Sequence, residues 1–148
     1  MNKNDTVVDL RKYGLEVGDP QIKSVGPMVF GPDGILFVGD NVGATIFAID
    51  VSDTDLSNTD HSINLENVDV PLASYLGCDR ADLLVRDIAV HPTSQNIYLA
   101  VIRGTGDESQ PVLVKIRHDG SISSIDLSDI PFSKTVLQDA PDVNDPRI

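Results

Sequence analysis

Short polar clusters at the ends of apolar runs carry residue types able to bind a ligand: Asp40-Asn41, Arg86-Asp87, and the loop from Arg103 to Asp107 and Glu108. Carboxylates mixed with guanidinium groups hold an anionic or hydroxylated small molecule when they gather on one rim. Arginine donates paired, charge-assisted hydrogen bonds there, and carboxylates accept from hydroxyls. The same residue types also brace backbone turns and pair charges between neighbouring elements. The residues therefore suggest binding and assign no catalytic group.

Other reactive patterns fail on spacing. His61, His91 and His118 fall in a polar loop and two separate turns, without a paired-histidine motif, so no histidine zinc site is expected. The single cysteine, Cys78, excludes an internal disulfide. It lies beside Tyr75, Leu76 and Gly77 and reads as a small, partly buried hydrophobe. The acidic stretch from Asp50 to Asp60 invites a calcium reading. Counted from Asp53, however, a calcium loop requires glycine and glutamate where the chain has Asn58 and Asn64, so an acidic solvated turn is expected instead. No serine occupies a nucleophile elbow. Gly104-Thr105-Gly106 joins two strands and opens no helix, so it is no phosphate loop. No metal site is expected, and the residues leave any cofactor unknown.

Bulk properties narrow the partners. The 148 residues include 11 basic and 23 acidic side chains, for a net charge of -12. A field of that sign repels phosphate, so neither nucleic acid nor an anionic membrane is an expected partner. A hydrophobic share of 41% suits a soluble globular domain. No apolar run is long enough to cross a bilayer as a helix. Residues 1–6 show neither an apolar core nor a small-residue cleavage site, so no signal peptide is read. Localisation stays open, and a periplasmic or secreted parent is compatible.

The elements that must position the polar clusters come as a repeat. Residues 26–40 return, degenerate but aligned, as residues 85–100; setting Pro32 on Pro92 gives an offset of 60 residues. Each copy runs from an apolar strand through a Pro-centred turn into a second apolar strand. In the first, Gly31-Pro32-Asp33-Gly34 suits a tight turn, since proline pre-sets φ and glycine accepts positive φ. Strands are expected at 27–30, 35–38 and 44–50, then at 86–90, 96–102, 111–116 and 121–127, the last two joined by a turn at His118-Asp119-Gly120. Ile63 and Leu65 alternate like a half-exposed outer strand. The runs are nearly continuous in apolarity, as in strands buried on both faces. Pro71 and Gly77 bracket a short helix, Ala81-Asp82-Leu83-Leu84 suggests another helical turn, and Ser133 reads as the cap of a further one.

The stretch Gly31-Pro32-Asp33-Gly34-Ile35-Leu36-Phe37-Val38-Gly39-Asp40, followed by Gly43 and by Ile46-Phe47-Ala48-Ile49-Asp50, resembles blades of NHL-repeat, gluconolactonase-like and quinoprotein-like β-propellers. The second unit, with His91-Pro92 in place of Gly31-Pro32, is similar, and the likeness covers about residues 25–127. It implies an all-β fold of four-stranded antiparallel meanders in an incomplete ring, with a helical insertion between blades. It further implies that loops entering each blade, and loops between its second and third strands, open on one channel face where ligands bind. On this chain those loops carry Lys23, Ser24, Asp40, Asn41, Arg86, Asp87 and Arg103 through Glu108. A gluconolactonase-like cation site joins Glu, Asn and Asp from separate blades. Asp40 and Asn41 supply part of that set, but no glutamate lies on a matching inner strand.

The expected organisation is an N-terminal segment at 1–24, a first blade with its helical insertion at 25–84, a second blade at 85–130, and a Pro-rich connector at 131–148. Two blades leave wide faces and edges exposed. The expected partners are therefore further blades of a longer protein, or self-association, together with a small molecule on the channel face. A binding or scaffold module is the first expectation. The alternative is the N-terminal part of a propeller enzyme, a lactonase-like hydrolase or quinoprotein-like dehydrogenase, with its catalytic groups on blades outside this chain.

Overall fold

Two hairpins organise the chain, and each forms where a β-branched or aromatic run meets a turn. The computed structural model describes residues 14–56, 68–104, 109–117 and 119–137. Its strands are β1 (Glu16–Gly18), β2 (Met28–Phe30), β3 (Ile35–Asp40), β4 (Thr45–Asp50), β5 (Leu83–Val90), β6 (Ile97–Arg103), β7 (Gln110–Ile116), β8 (Ile122–Ser124) and β9 (Ile130–Val136). One helix, α1 (Asp69–Leu76), and a 3-10 turn, Arg80–Asp82, lie between β4 and β5. All strand pairs are antiparallel.

The strands form two sheets, ordered β1-β9-β4-β3-β2 and β5-β6-β7-β8. An all-β architecture with a helical insertion is thus observed. The outer strand expected around Ile63 and Leu65 lies outside the described residues. The place beside β4 is taken by β9, which returns from the far side of the second sheet and pairs along β4 from Thr45↔Val136 to Ile49↔Phe132. Residues 130–136, expected as the blade end and a connector with a helix at Ser133, are therefore a strand. Ser133 faces Ala48 across the ladder and caps nothing. Ile130 is buried and Phe132 packs into the core, and this burial overrides the local helix signal.

The main core lies between the sheets. Met28, Leu36, Val38, Phe47 and Ile49 of the first sheet meet Ala89, Tyr98, Ala100 and Leu113 of the second. Alternation along β6 sends Tyr98 and Ala100 into this layer, while Leu99 and Val101 point the other way onto α1. Helix α1 covers that far face by setting Leu72 over Leu99, Val101, Val114 and Ile116. It stops where the sequence indicates: Gly77 takes φ 68, and the Gly77 and Cys78 amides donate to Ser74 and Ala73 carbonyls. Burial on both faces therefore holds for β6 and β7. In the first sheet burial alternates from Leu36 along β3 and along β4, leaving Phe37 and Ile46 facing outward and exposed, with Ile35 at the head of β3 the outward residue that is also buried. Truncating Leu36 or Leu113 to alanine would cost about 2–5 kcal/mol.

Strands β2 and β5 stand side by side and run the same way. Met28 N donates to Asp87 Oδ2 at 2.9 Å, and further along the Phe30 ring stands edge-on to His91 and Tyr98 with centroids 5.1 and 5.0 Å apart. Their two turns touch as well. Gly34 has φ 78, and a Cβ there would lie 2.7 Å from His91 Nε2, so this contact needs glycine both for conformation and for space.

Candidate functional site

The common direction of β2 and β5 places the described rim candidates at one end of the two sheets. Asp40 closes β3, Arg86 and Asp87 lie in the first half of β5, and Arg103 closes β6, paired in register with Leu83 and Gln110. Asp107 and Glu108 lie outside the described residues. A register shift between Val85 and Asp87 leaves Arg86 in a bulge, exposed to solvent.

The two carboxylates at this end are committed to backbone. Asp40 is 3% exposed, and its Oδ1 accepts from Gly43 N at 2.8 Å and Ser24 Oγ at 2.7 Å, while Oδ2 accepts from Lys23 N at 2.8 Å. Burial pushes this carboxyl up, but hydrogen bonds led by Gly43 outweigh it and hold Asp40 below the usual carboxylate range. Asp87 spends one oxygen on Met28 N and the other on Ile88 N, at 2.9 Å each. The cations are not so committed. Arg86, Arg103 and Lys23 are exposed, and none makes an ion pair among the described residues. Asn41 is exposed beside Gly26.

The opposite end holds a denser polar network that sequence reasoning passed over. The chain leaving β4 crosses to the second sheet, burying Val51 in the core and then Asp53, whose side chain is 0% exposed. Asp53 Oδ2 accepts from Ser94 Oγ at 2.7 Å, Tyr98 OH at 2.8 Å and Asn96 Nδ2 at 3.1 Å. Its Oδ1 accepts from Asp55 N at 3.0 Å and faces Lys115 Nζ at 3.7 Å. Asp55 Oδ2 takes Asn96 Nδ2 and Arg117 Nε, both at 2.9 Å, and stands 3.7 Å from the same ammonium. Two acids thus balance two bases. The expected solvated turn is, at Asp53, a buried tie between the sheets.

The electrostatics of this network follow from its contacts. Burial raises Asp53, but donors from Ser94, Tyr98, Asn96 and the Asp55 amide hold it below its ordinary value. The Arg117 hydrogen bond lowers Asp55, and the same contact raises Arg117. Burial, then the Asp53 contact, drives Tyr98 far above the usual phenol range, so its hydroxyl stays a donor. His91 Nδ1 accepts from Thr93 N and Ser94 N at 3.1 Å each, which puts the proton of the neutral ring on Nε2. Burial depresses its pKa. Asn96 Oδ1 is the one buried side-chain polar atom without a hydrogen-bond partner among the described residues.

A buried carboxylate with both oxygens occupied is a poor base, and a tyrosine this protected is a poor acid. The cluster fastens elements and offers no reacting group. A partial signal was present: Ser94 and Asn96, in the turn leading into β6, and Tyr98 within it are polar at every second position, and Lys115 pairs with Tyr98 in register. No group of three or more His, Cys, Asp or Glu side chains suited to a metal occurs among the described residues. Comparison with family models, curated proteins and solved structures finds no match to this chain.

Proposed function

We propose that the chain is a pair of propeller-type blades serving as a binding or scaffold module, and that it takes a small anionic ligand at the end bearing Arg86 and Arg103. The observation that carries this reading is the asymmetry of commitment at that end. Asp40 and Asp87 are consumed by backbone amides, whereas the guanidinium groups of Arg86 and Arg103 stand exposed without ion-pair partners among the described residues. What is left to offer is cationic, on a surface otherwise strongly acidic. A carboxylate or phosphate ligand suits paired guanidinium donors. The side-by-side hairpins β2-β3 and β5-β6 support the blade reading, with first strands adjacent and running the same way.

The test is a thermal-shift and calorimetric titration with small organic acids, sugar acids and inorganic phosphate. Binding that weakens about 10-fold or more in Arg86→Ala or Arg103→Ala supports the reading, given about 1.5–3 kcal/mol per charged hydrogen bond. Equal binding by parent and both variants contradicts it.

A further inference from the structure

Two apolar surfaces remain open among the described residues, on opposite sides of the two-sheet stack. The outer face of the first sheet carries Val29, Phe37 and Ile46, and 62% of Val29 is exposed. Across its strands the rows read Val29, Phe37, Ala48, Ser133 and then Gly39, Ile46, Thr135, without a charge. On the far side of the second sheet, α1 shields β6 and β7 but leaves Val85, Ile88 and Val90 of β5 open. In register these three sit opposite Val101, Leu99 and Ile97, on the helix-side face.

We infer that these two surfaces join successive copies of this chain head to tail. One copy's Val29, Phe37 and Ile46 pack on the next copy's Val85, Ile88 and Val90. Three observations select a second copy as the occupant. The contact repeats one already built inside the chain, where β2 lies against β5, so each added copy continues the alternation of first and second sheets. The two surfaces differ in form, a broad sheet face and a one-strand strip beside a helix, so like does not pair with like. And a chain of net charge -12 meets itself with least repulsion where acids are few: the strip on β5 carries the exposed Arg86 between Val85 and Ile88, and the facing rows of the first sheet carry an acid only at their margin, Asp50. Head-to-tail contacts of this kind close into rings when the rotation between copies permits.

The inference rests on the apolar side chains and not on the guanidinium groups; because Arg86 lies between Val85 and Ile88, the Arg86→Ala variant separates the two readings, since it is expected to lose anion binding and still associate. Light scattering coupled to size exclusion on the 148-residue chain is expected to give a multiple of 15.9 kDa, favoured by added salt as repulsion is screened. Phe37→Glu and Ile88→Glu are each expected to run as monomers. Mixed in equal amounts they are expected to form a dimer and nothing larger, because each keeps the surface the other lacks. Thermal unfolding matching the parent shows that a variant is folded, and Val29→Glu with Val90→Glu repeats the test if either first variant unfolds. A monomeric parent at all concentrations, an Ile88→Glu variant that still associates, or a mixture that stays monomeric each overturns the inference.

Discussion

The two ends of the molecule use aspartate for opposite purposes. At one end Asp53 is buried beneath three side-chain donors and balanced by Lys115, and it ties a loop from the first sheet onto the second. At the other end Asp40 and Asp87 are taken up mainly by backbone amides, Asp87 reaching across to Met28 of the first sheet, while the arginines beside them stay exposed. A charge enclosed by side chains from another sheet belongs to the fold. A charge held out on a bulge or strand end, with no ion pair among the described residues, is available to something else. The difference teaches that charge alone does not mark a binding site in this chain; the number of contacts already made does.

The largest effect that would sharpen this contrast is expected from Asp53→Ala. It removes the acceptor for Ser94, Asn96 and Tyr98 and takes a counter-charge from Lys115, whose side chain is 8% exposed. A loss of about 3–5 kcal/mol in denaturant unfolding is expected, a large part of the stability of a domain this size. A loss under about 1 kcal/mol would break the comparison, because Asp53 would then act like a surface residue.

Acid should expose the same end in two stages. His91 has a folded pKa below its unfolded one, so the stability of its neutral form is present above about pH 6.5 and falls as pH drops through that range. Protonated Nδ1 would also point a hydrogen at the Thr93 and Ser94 amides. Asp53 and Asp55 are likewise depressed, as is Asp40 at the arginine end, so their contribution is present above the unfolded carboxylate range and is lost below about pH 4. Unfolding midpoints measured from pH 8 to 3 should show both steps, and His91→Gln should remove the first alone.

A smaller effect is expected at the arginine end. Asp40→Ala frees the Gly43 and Lys23 amides near the surface, where water can replace the carboxylate, and should cost about 1–2 kcal/mol by the same unfolding assay. A cost equal to that of Asp53→Ala would erase the distinction between the ends.

Sequence legibility follows the range of each interaction. The hairpins were readable because Pro32, Gly34 and Pro92 punctuate apolar runs, and α1 because Pro71 and Gly77 bracket it. Strand β9 was not, since its pairing with β4 joins residues some ninety apart and its Ser133-Lys134-Thr135 stretch has no local strand signature. The Asp53 tie was hidden for the same reason. Its partners Ser94, Asn96 and Tyr98 lie 41 to 45 residues away, so Asp53 looked like one more acid in an acidic loop. Asp40 was legible as a turn brace because Gly43, one of its donors, is three residues on.

The most direct test of the division between a fastening end and a binding end is the thermal unfolding of an Arg86→Ala/Arg103→Ala double variant, with and without small organic anions. The expected result is a midpoint equal to the parent's without ligand and no shift with it, under conditions where the parent shifts. A midpoint lowered as far as that of Asp53→Ala, or a ligand shift that persists in the double variant, would contradict it.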